Sequence, residues 1–214
     1  MASLSQASSP TAGSRIRSVL SRGLAFIGNL GLFVGIALLV GIGTSWYMIE
    51  IGSRLTTVSV GPWVSWPAAG SVDADPYTRA RMVRHGSLPL TGTVARTFEA
   101  RTDEDGQRLH SSCDYMVEGN AMDEGWWSIT IYDDKGLLIA NPADRYTFNS
   151  STTARSADGT FLITLGRDAR PGNWLPTAGA GRLSVVLTML EAGDDVMQTG
   201  DERVLPMIRK VACR

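Results

Sequence analysis

The sequence predicts a mainly β protein, an antiparallel β-sandwich of jelly-roll type that follows one N-terminal transmembrane helix. Three observations support this fold class. An uncharged apolar run fills residues 23–49. Short segments with alternating apolar and polar residues follow it, separated by turns rich in Gly, Asp and Asn. Only one helical segment lies among them, which argues against repeated βαβ units.

The apolar run is long enough to cross a membrane. About 20 apolar helical residues span a hydrocarbon core about 30 Å thick, and the run between Arg22 and Glu50 exceeds that length. In lipid the backbone must satisfy its own hydrogen bonds, so the run is predicted to be helical. A cleaved signal peptide is the alternative. It is less favoured, because its apolar region is about 7–15 residues long.

The charge distribution predicts the orientation of this helix. Residues 1–22 contain three arginines and no acidic residue. Cationic residues flanking the N-terminal end place that end in the cytoplasm. The sequence therefore predicts a single-pass protein of the bacterial inner membrane, with residues 1–22 as a disordered cytoplasmic tail, 23–49 as the transmembrane helix and 50–214 as a periplasmic domain. In an alternative, the helix extends inward from Ser14.

The exported part is neutral to acidic and contains two cysteines. Of the 20 basic residues, three lie in the tail, which leaves 17 against 21 acidic residues. This balance does not predict nucleic acid binding. Disulfides persist outside the cytoplasm, so a bond between Cys113 and Cys213 is one reading, and a buried free thiol at Cys113 is the other.

Period-two alternation predicts the strands, and one capped segment predicts a helix. Asp75 and Pro76 suit the start of a helix that ends at Gly86. The strand with the strongest pattern places Trp127, Ile129 and Ile131 on one face. Strands are predicted over residues 55–60, 94–100, 112–118, 126–132, 137–140, 146–148, 160–165 and 182–190.

A series of motifs resembles a known family. The motifs, in order, are Asp75-Pro76-Tyr77, Leu88-Pro89-Leu90, Cys113-Asp114-Tyr115-Met116-Val117-Glu118-Gly119, Trp126-Trp127-Ser128 continuing to Tyr132-Asp133, and Asn173-Trp174-Leu175-Pro176. Together they resemble the bacterial domain of unknown function 1214, over about Gly61 to Cys213. The resemblance implies a jelly-roll β-sandwich, often exported or membrane-anchored. Related chains fuse this domain to the domain of unknown function 1254. The resemblance implies no activity.

No motif in the sequence predicts a cofactor or a metal. Phosphate-binding loops, dinucleotide fingerprints and the nucleophile elbow are missing from the sequence. The two histidines, His85 and His110, are too few for a histidine-rich metal site. Acidic turns at 103–105 and 133–134 usually stabilise their own backbone. If they faced one cleft, Asp103 and Asp133 could instead act as a carboxylate pair in a glycan or ester hydrolase.

Polar and aromatic residues at strand ends form a candidate ligand site. Their ordinary role is structural, because tryptophans fill sandwich cores and Asn fixes turns. The functional alternative is a concave face on which aromatic rings stack a ligand that amide and guanidinium groups orient. The candidate residues are Trp126, Tyr132, Asn141, Arg145, Asn173 and Trp174.

Two functional hypotheses follow from the sequence. The preferred one is a non-catalytic periplasmic module, tethered by one span, that binds a small ligand or another envelope protein. The second is an envelope hydrolase that uses carboxylates at strand ends. The sequence shows no catalytic constellation, so whether the protein is an enzyme is left open and a binding role is favoured.

Overall fold

The computed structural model describes residues 12–50, 56–86, 88–120, 125–190 and 205–214, with side chains from residue 22 onward. The chain divides into two compact units, residues 1–48 and 49–214. Residues 1–11 of the predicted tail lie outside the described residues.

The first unit is one long helix. Helix α1 covers Ala12–Glu50, and its part from Arg22 to Glu50 is long and apolar enough to span a membrane. The helix begins ten residues before the predicted end of the disordered tail, so residues 12–22 are helical. The inward extension from Ser14 had anticipated most of this. The physical reason is that this stretch has no Pro and is rich in residues that a helix tolerates well, such as Arg, Leu and Ile.

The second unit is a two-sheet β-sandwich, as the alternation predicted. The first sheet has six strands in the order β1-β2-β3-β9-β5-β6, all antiparallel. The second has the order β10-β4-β7-β8, with β7 and β8 parallel. The elements are β1 Val58–Val60, β2 Trp63–Ser65, α2 Pro76–Arg84, β3 Ala95–Ala100, β4 Cys113–Gly119, β5 Trp127–Asp133, β6 Thr147–Asn149, β7 Phe161–Gly166, β8 Asn173–Pro176, β9 Leu183–Leu190 and β10 Met207–Cys213.

One apolar core lies between the sheets. Trp127, Ile129 and Ile131 of β5 are buried, which confirms the predicted inward face of that strand. They meet buried residues of the second sheet, and the Trp127 ring stacks on Phe161 at 4.6 Å between ring centroids. Burial of large apolar side chains from both sheets is the main term that stabilises this arrangement.

The strand prediction needs correction at four places, one of which is β10, a seven-residue strand that was not predicted. Residues 137–140 do not form the predicted strand; only Leu138 bridges to Tyr132. The chain turns away because the side chain of Asn141 bonds to the backbone of Ile139 and Arg145. Two short strands, β2 and β8, were not predicted. Each is only three or four residues long and lies beside or contains proline, which hides the alternation.

Helix α2 begins as predicted. The Asp75 carboxylate accepts hydrogen bonds from the backbone N–H of Tyr77 and Thr78, and Pro76 occupies the first turn. Burial alone would raise the pKa of Asp75, but the bonds from Thr78 and Tyr77 outweigh it and lower that pKa. The cap therefore stabilises α2 above the unfolded pKa of the carboxyl group, and this contribution is lost as pH falls through the lower folded pKa.

The edge strand β10 is covalently joined to β4. Cys113 and Cys213 are directly opposite each other in the two strands and form a disulfide that closes a separation of 100 residues. A constraint on so long a loop acts mainly by restricting the unfolded chain. It fixes the C-terminal strand to the sheet that β4 and β7 build.

We expect loss of this disulfide to destabilise the domain. The double variant C113S/C213S should have a lower free energy of unfolding, by up to about 4 kcal/mol on the chain-entropy estimate. It should therefore unfold at a lower urea concentration. The measurement is urea unfolding of the full chain followed by tryptophan fluorescence. Wild-type protein that shows two titratable thiols, and equal mobility with and without reductant, would contradict the disulfide.

A glycine in β4 allows the core rings to pack. A Cβ at Gly119 would lie 2.3 Å from the Phe161 ring, whereas a Cβ at Gly92 would meet its nearest atom, the Pro67 carbonyl oxygen, at 3.6 Å. We expect G119A to lower the free energy of unfolding by about 1–3 kcal/mol, because the Phe161–Trp127 stack must shift. G92A is the control and should change it by less than about 0.5 kcal/mol. Equal values for the two variants in urea unfolding would refute this account.

Candidate functional site

The outer face of the six-stranded sheet is polar, whereas its inner face is apolar. Along β3, Phe98 and Ala100 are buried in the core, so the intervening Glu99 and the following Arg101 point to the other side. The same alternation on β9 and β5 turns Ser184, Thr188 and Tyr132 outward. These outward side chains form the floor of a cleft.

The cleft has a volume of about 630 Å³. Helix α2 contributes Arg81, Met82 and His85 to its wall, and the segments at 65–69 and 88–92 complete it. The volume falls in the range of about 300–1,000 Å³ that is usual for ligand sites. Its lining combines four arginines and three carboxylates with an apolar side, so it offers both charge and apolar surface.

The guanidinium of Arg81 is buried and contacts a carboxylate, two backbone carbonyls and an aromatic ring. Only 4% of the residue is exposed, and its Nη2 lies 3.2 Å from Oε2 of Glu99. Its Nη1 donates to the backbone carbonyls of Ile49 and Glu50, and its guanidinium lies 4.0 Å from the centre of the Trp66 ring. Burial lowers the pKa of Arg81, an effect that the negative charge of Glu99 opposes. The side chain acts as a structural anchor.

Arg101 and Arg108 provide the cations of the cleft that are more accessible. Arg101 Nε lies 2.6 Å from Oε1 of Glu99, so one carboxylate serves both Arg81 and Arg101. Within the described residues, the Arg108 side chain makes no hydrogen bond or ion pair. Burial lowers the pKa of Arg108, and the nearby charges of Arg101 and Arg182 lower it further. The charges of Glu99 and Asp134 oppose this effect, so Arg108 is an exposed cation among charges of both signs.

His85 lies at the C-terminal end of α2, as the sequence suggested, and lines the cleft. Its expected role was that of a cation at the helix end. Burial lowers the pKa of His85, and the positive charge of Arg81 lowers it again, so the neutral imidazole is favoured at pH 7. The ring thus adds a polar group rather than a charge at this pH.

The carboxylates named for hydrolysis occupy different places. Asp133 lines the cleft, but its Oδ1 accepts hydrogen bonds from the backbone N–H of Lys135 and Leu137. Asp103 is buried outside the set of residues that lines the cleft, and its Oδ1 accepts from Asp105 and Gln107. Both carboxylates stabilise the backbone of their own turns, and they do not face each other across the cleft.

The six predicted ligand residues do not form one group. Tyr132 lines the cleft, where burial raises its pKa. Asn141, Arg145 and Trp174 form a separate cluster: Arg145 Nη1 lies 3.3 Å from the Trp174 carbonyl oxygen, and Asn141 Oδ1 accepts from Arg145 N–H. Trp126 lies half-exposed just before β5.

Asn173 has a structural environment. It is buried, its Oδ1 accepts from Ala154 N–H at 2.8 Å, and its Nδ2 donates to the carbonyl oxygens of Ala154 and Leu162. All of these contacts join β8 to neighbouring backbone. The NWLP motif thus fixes the edge of the second sheet.

Sequence reasoning missed the arginines of the cleft. Arg81 lies near the C-terminal end of the predicted helix, where a cation suits the helix dipole, and Arg101 and Arg108 were not among the candidate residues. The alternation of β3 contained a usable signal, because Glu99 and Arg101 must share its polar face. Within the described residues no group of three or more His, Cys, Asp or Glu side chains could hold a metal ion.

Comparison with known proteins agrees with the motif pattern. Residues 94–194 match the family model described as "Protein of unknown function (DUF1214)". The predicted resemblance to the DUF1214 family is confirmed. The match begins at the start of β3, so it covers less of the chain than the resemblance from Gly61 to Cys213 suggested. Arg101 and Arg108 lie inside it, whereas Trp66 and Arg81 precede it.

Solved structures give a second comparison. The VPA0106 protein from Vibrio parahaemolyticus is similar, with 26% identity and a TM-score of 0.54, over 65% of this chain and 36% of that one. This chain thus spans about a third of the length of that protein. A putative uncharacterized protein from Burkholderia cenocepacia matches with 15% identity and a TM-score of 0.40, over 67% of this chain and 46% of that one. No curated protein matches the chain.

A close backbone approach shapes the apolar side of the cleft. Gly70 has φ of +76°, and a Cβ there would lie 2.4 Å from the carbonyl oxygen of Leu90. The turn at 67–70 and the segment at 88–90 therefore pack together only with glycine at this position.

We expect G70A to be more destabilising than G179A. Gly179 has a similar φ of +83° but open space around its Cβ position, so G179A reports the backbone strain alone, about 1–2 kcal/mol. G70A adds a steric displacement of about 1–3 kcal/mol. Urea unfolding of both variants measures the difference, and equal losses would show that the Gly70–Leu90 contact does not constrain the cleft.

Proposed function

We propose that this protein is a single-pass inner-membrane protein whose periplasmic β-sandwich binds a small anionic ligand in the cleft on the outer face of the six-stranded sheet. In this proposal the domain binds its ligand and catalyses no reaction. The observation that carries it is the exposed guanidinium of Arg108, held beside Arg101 in a cleft of ligand size.

The location rests on the N-terminal segment and the disulfide. Three arginines precede the apolar part of α1, and the positive-inside rule then directs the domain outward. A disulfide in the β-sandwich suits an oxidising compartment, which the periplasm is. The tether would keep the domain close to the membrane surface.

The charge in the cleft favours an anion. Glu99 is shared by Arg81 and Arg101, and Asp133 is held by the backbone of its own turn. The charges of Glu99 and Asp134 attract Arg108, but among the described residues neither carboxylate forms a salt bridge with its guanidinium. A carboxylate or phosphate can accept two parallel hydrogen bonds from one guanidinium, which gives a strong and directional contact. Hydrolysis is less favoured, because Asp103 and Asp133 serve separate turns.

The test is titration of the full chain, reconstituted in nanodiscs of zwitterionic lipid, with phenyl phosphate. We expect R108Q to weaken binding at least tenfold, because a hydrogen bond to a charged group contributes about 1.5–3 kcal/mol. The control R209Q removes an exposed arginine of β10 outside the cleft and should leave the affinity unchanged. Isothermal titration calorimetry gives the dissociation constants.

A matched cation separates charge recognition from general stickiness. Phenyltrimethylammonium has the same ring and the opposite charge. If it binds as tightly as phenyl phosphate, or if R108Q binds phenyl phosphate like the wild type, the proposed anion site is wrong.

A further inference from the structure

We infer that the ligand of this cleft is amphiphilic: an anionic head group that binds Arg108 and Arg101, with an alkyl or aryl portion that lies on the apolar side chains of the same cleft. The inference rests on the proposed anion site and adds the second half of the ligand. The added part concerns the apolar side chains that line the cleft.

The lining of the cleft includes several large apolar side chains. Leu88 is 97% exposed and Leu90 57% exposed, although both lie at the cleft. Single exposed apolar residues are common, but contiguous ones rimmed by polar groups mark binding surfaces. We define the apolar wall as Trp66, Pro67, Met82, Leu88, Pro89 and Leu90.

This wall is held in place without the ligand. The close approach of Gly70 to Leu90 fixes the segment 88–90 against the turn at 67–70. The Trp66 ring is fixed on one face by the guanidinium of Arg81. A preformed apolar surface binds a chain without the cost of ordering new protein segments.

The volume of the cleft also exceeds the needs of a bare anion. At about 30 Å³ for each water in the liquid, 630 Å³ corresponds to about twenty waters. A phosphate or carboxylate group displaces only a few of them. An alkyl chain that covers the apolar wall would gain about 25 cal/mol per Å² of apolar surface removed from water.

A series of phosphate esters tests the inference. The full chain in zwitterionic nanodiscs is titrated with inorganic phosphate and with ethyl, butyl and hexyl phosphate, and titrations of empty nanodiscs are subtracted. Because all four compounds share the phosphate head group, differences between their dissociation constants report the contribution of the alkyl chain. We expect binding to become about twofold to fourfold tighter for each added methylene.

Two leucine variants locate the chain on the wall. L90Q should flatten the dependence on chain length and leave the affinity for inorganic phosphate unchanged. L162Q is the control: Leu162 is also partly exposed, at 40%, but lies on β7 of the other sheet. It should keep the full dependence.

The outcomes separate the two proposals. Equal affinity for all four phosphates overturns the amphiphile and leaves the anion site standing. A dependence on chain length that L90Q preserves in full overturns the assignment to the apolar wall. If inorganic phosphate, the three esters and phenyl phosphate all fail to bind, the proposed function itself is overturned.

Discussion

The buried guanidinium of Arg81 is the interaction on which the cleft depends. It joins three parts of the second unit, because it pairs with Glu99 of β3, stacks on Trp66 and donates to the carbonyl oxygens of Ile49 and Glu50. Breaking a buried ion pair by removing one partner costs about 3–5 kcal/mol, since the other charge is left unpaired. The position of α2 over the sheet is therefore tied to the charge of Glu99.

The same carboxylate sets the electrostatics of the cleft. Glu99 divides its two oxygens between Arg81 and Arg101, and its charge also attracts Arg108. Burial lowers the pKa of Arg108; the charges of Arg101 and Arg182 lower it further, whereas those of Glu99 and Asp134 raise it. Binding of an anion would offset the burial of this cation and its repulsion by the two arginines.

Much of the fold could be predicted because alternation along a strand is a local signal. The strand of Trp127, Ile129 and Ile131 and the cap at Asp75 were both readable from a few neighbouring residues. Strands β2 and β8 could not be read, since a three- or four-residue segment beside proline has too few positions to show a period.

The site was less predictable because its residues are distant in the chain. Trp66, Arg81, Arg101 and Tyr132 meet only through the strand order β2-β3-β9-β5 and the return of α2 over it. At a strand end, the residue type alone does not distinguish a ligand contact from a structural contact. Asn173 has the amide that a ligand site would use, yet its three bonds all go to backbone.

Core and cleft are coupled through one strand register. Phe98 pairs with Leu187 on the inner face, and Glu99 pairs with Val186 on the outer face, in the same ladder of β3 and β9. A shift by one residue would turn Phe98 to the cleft and Glu99 into the core, because side chains alternate with period two. The free energy of burying Phe98 thus also fixes the direction of the Glu99 carboxylate. The arginine arrangement in the cleft therefore follows from the packing of the core on the other side of the same sheet.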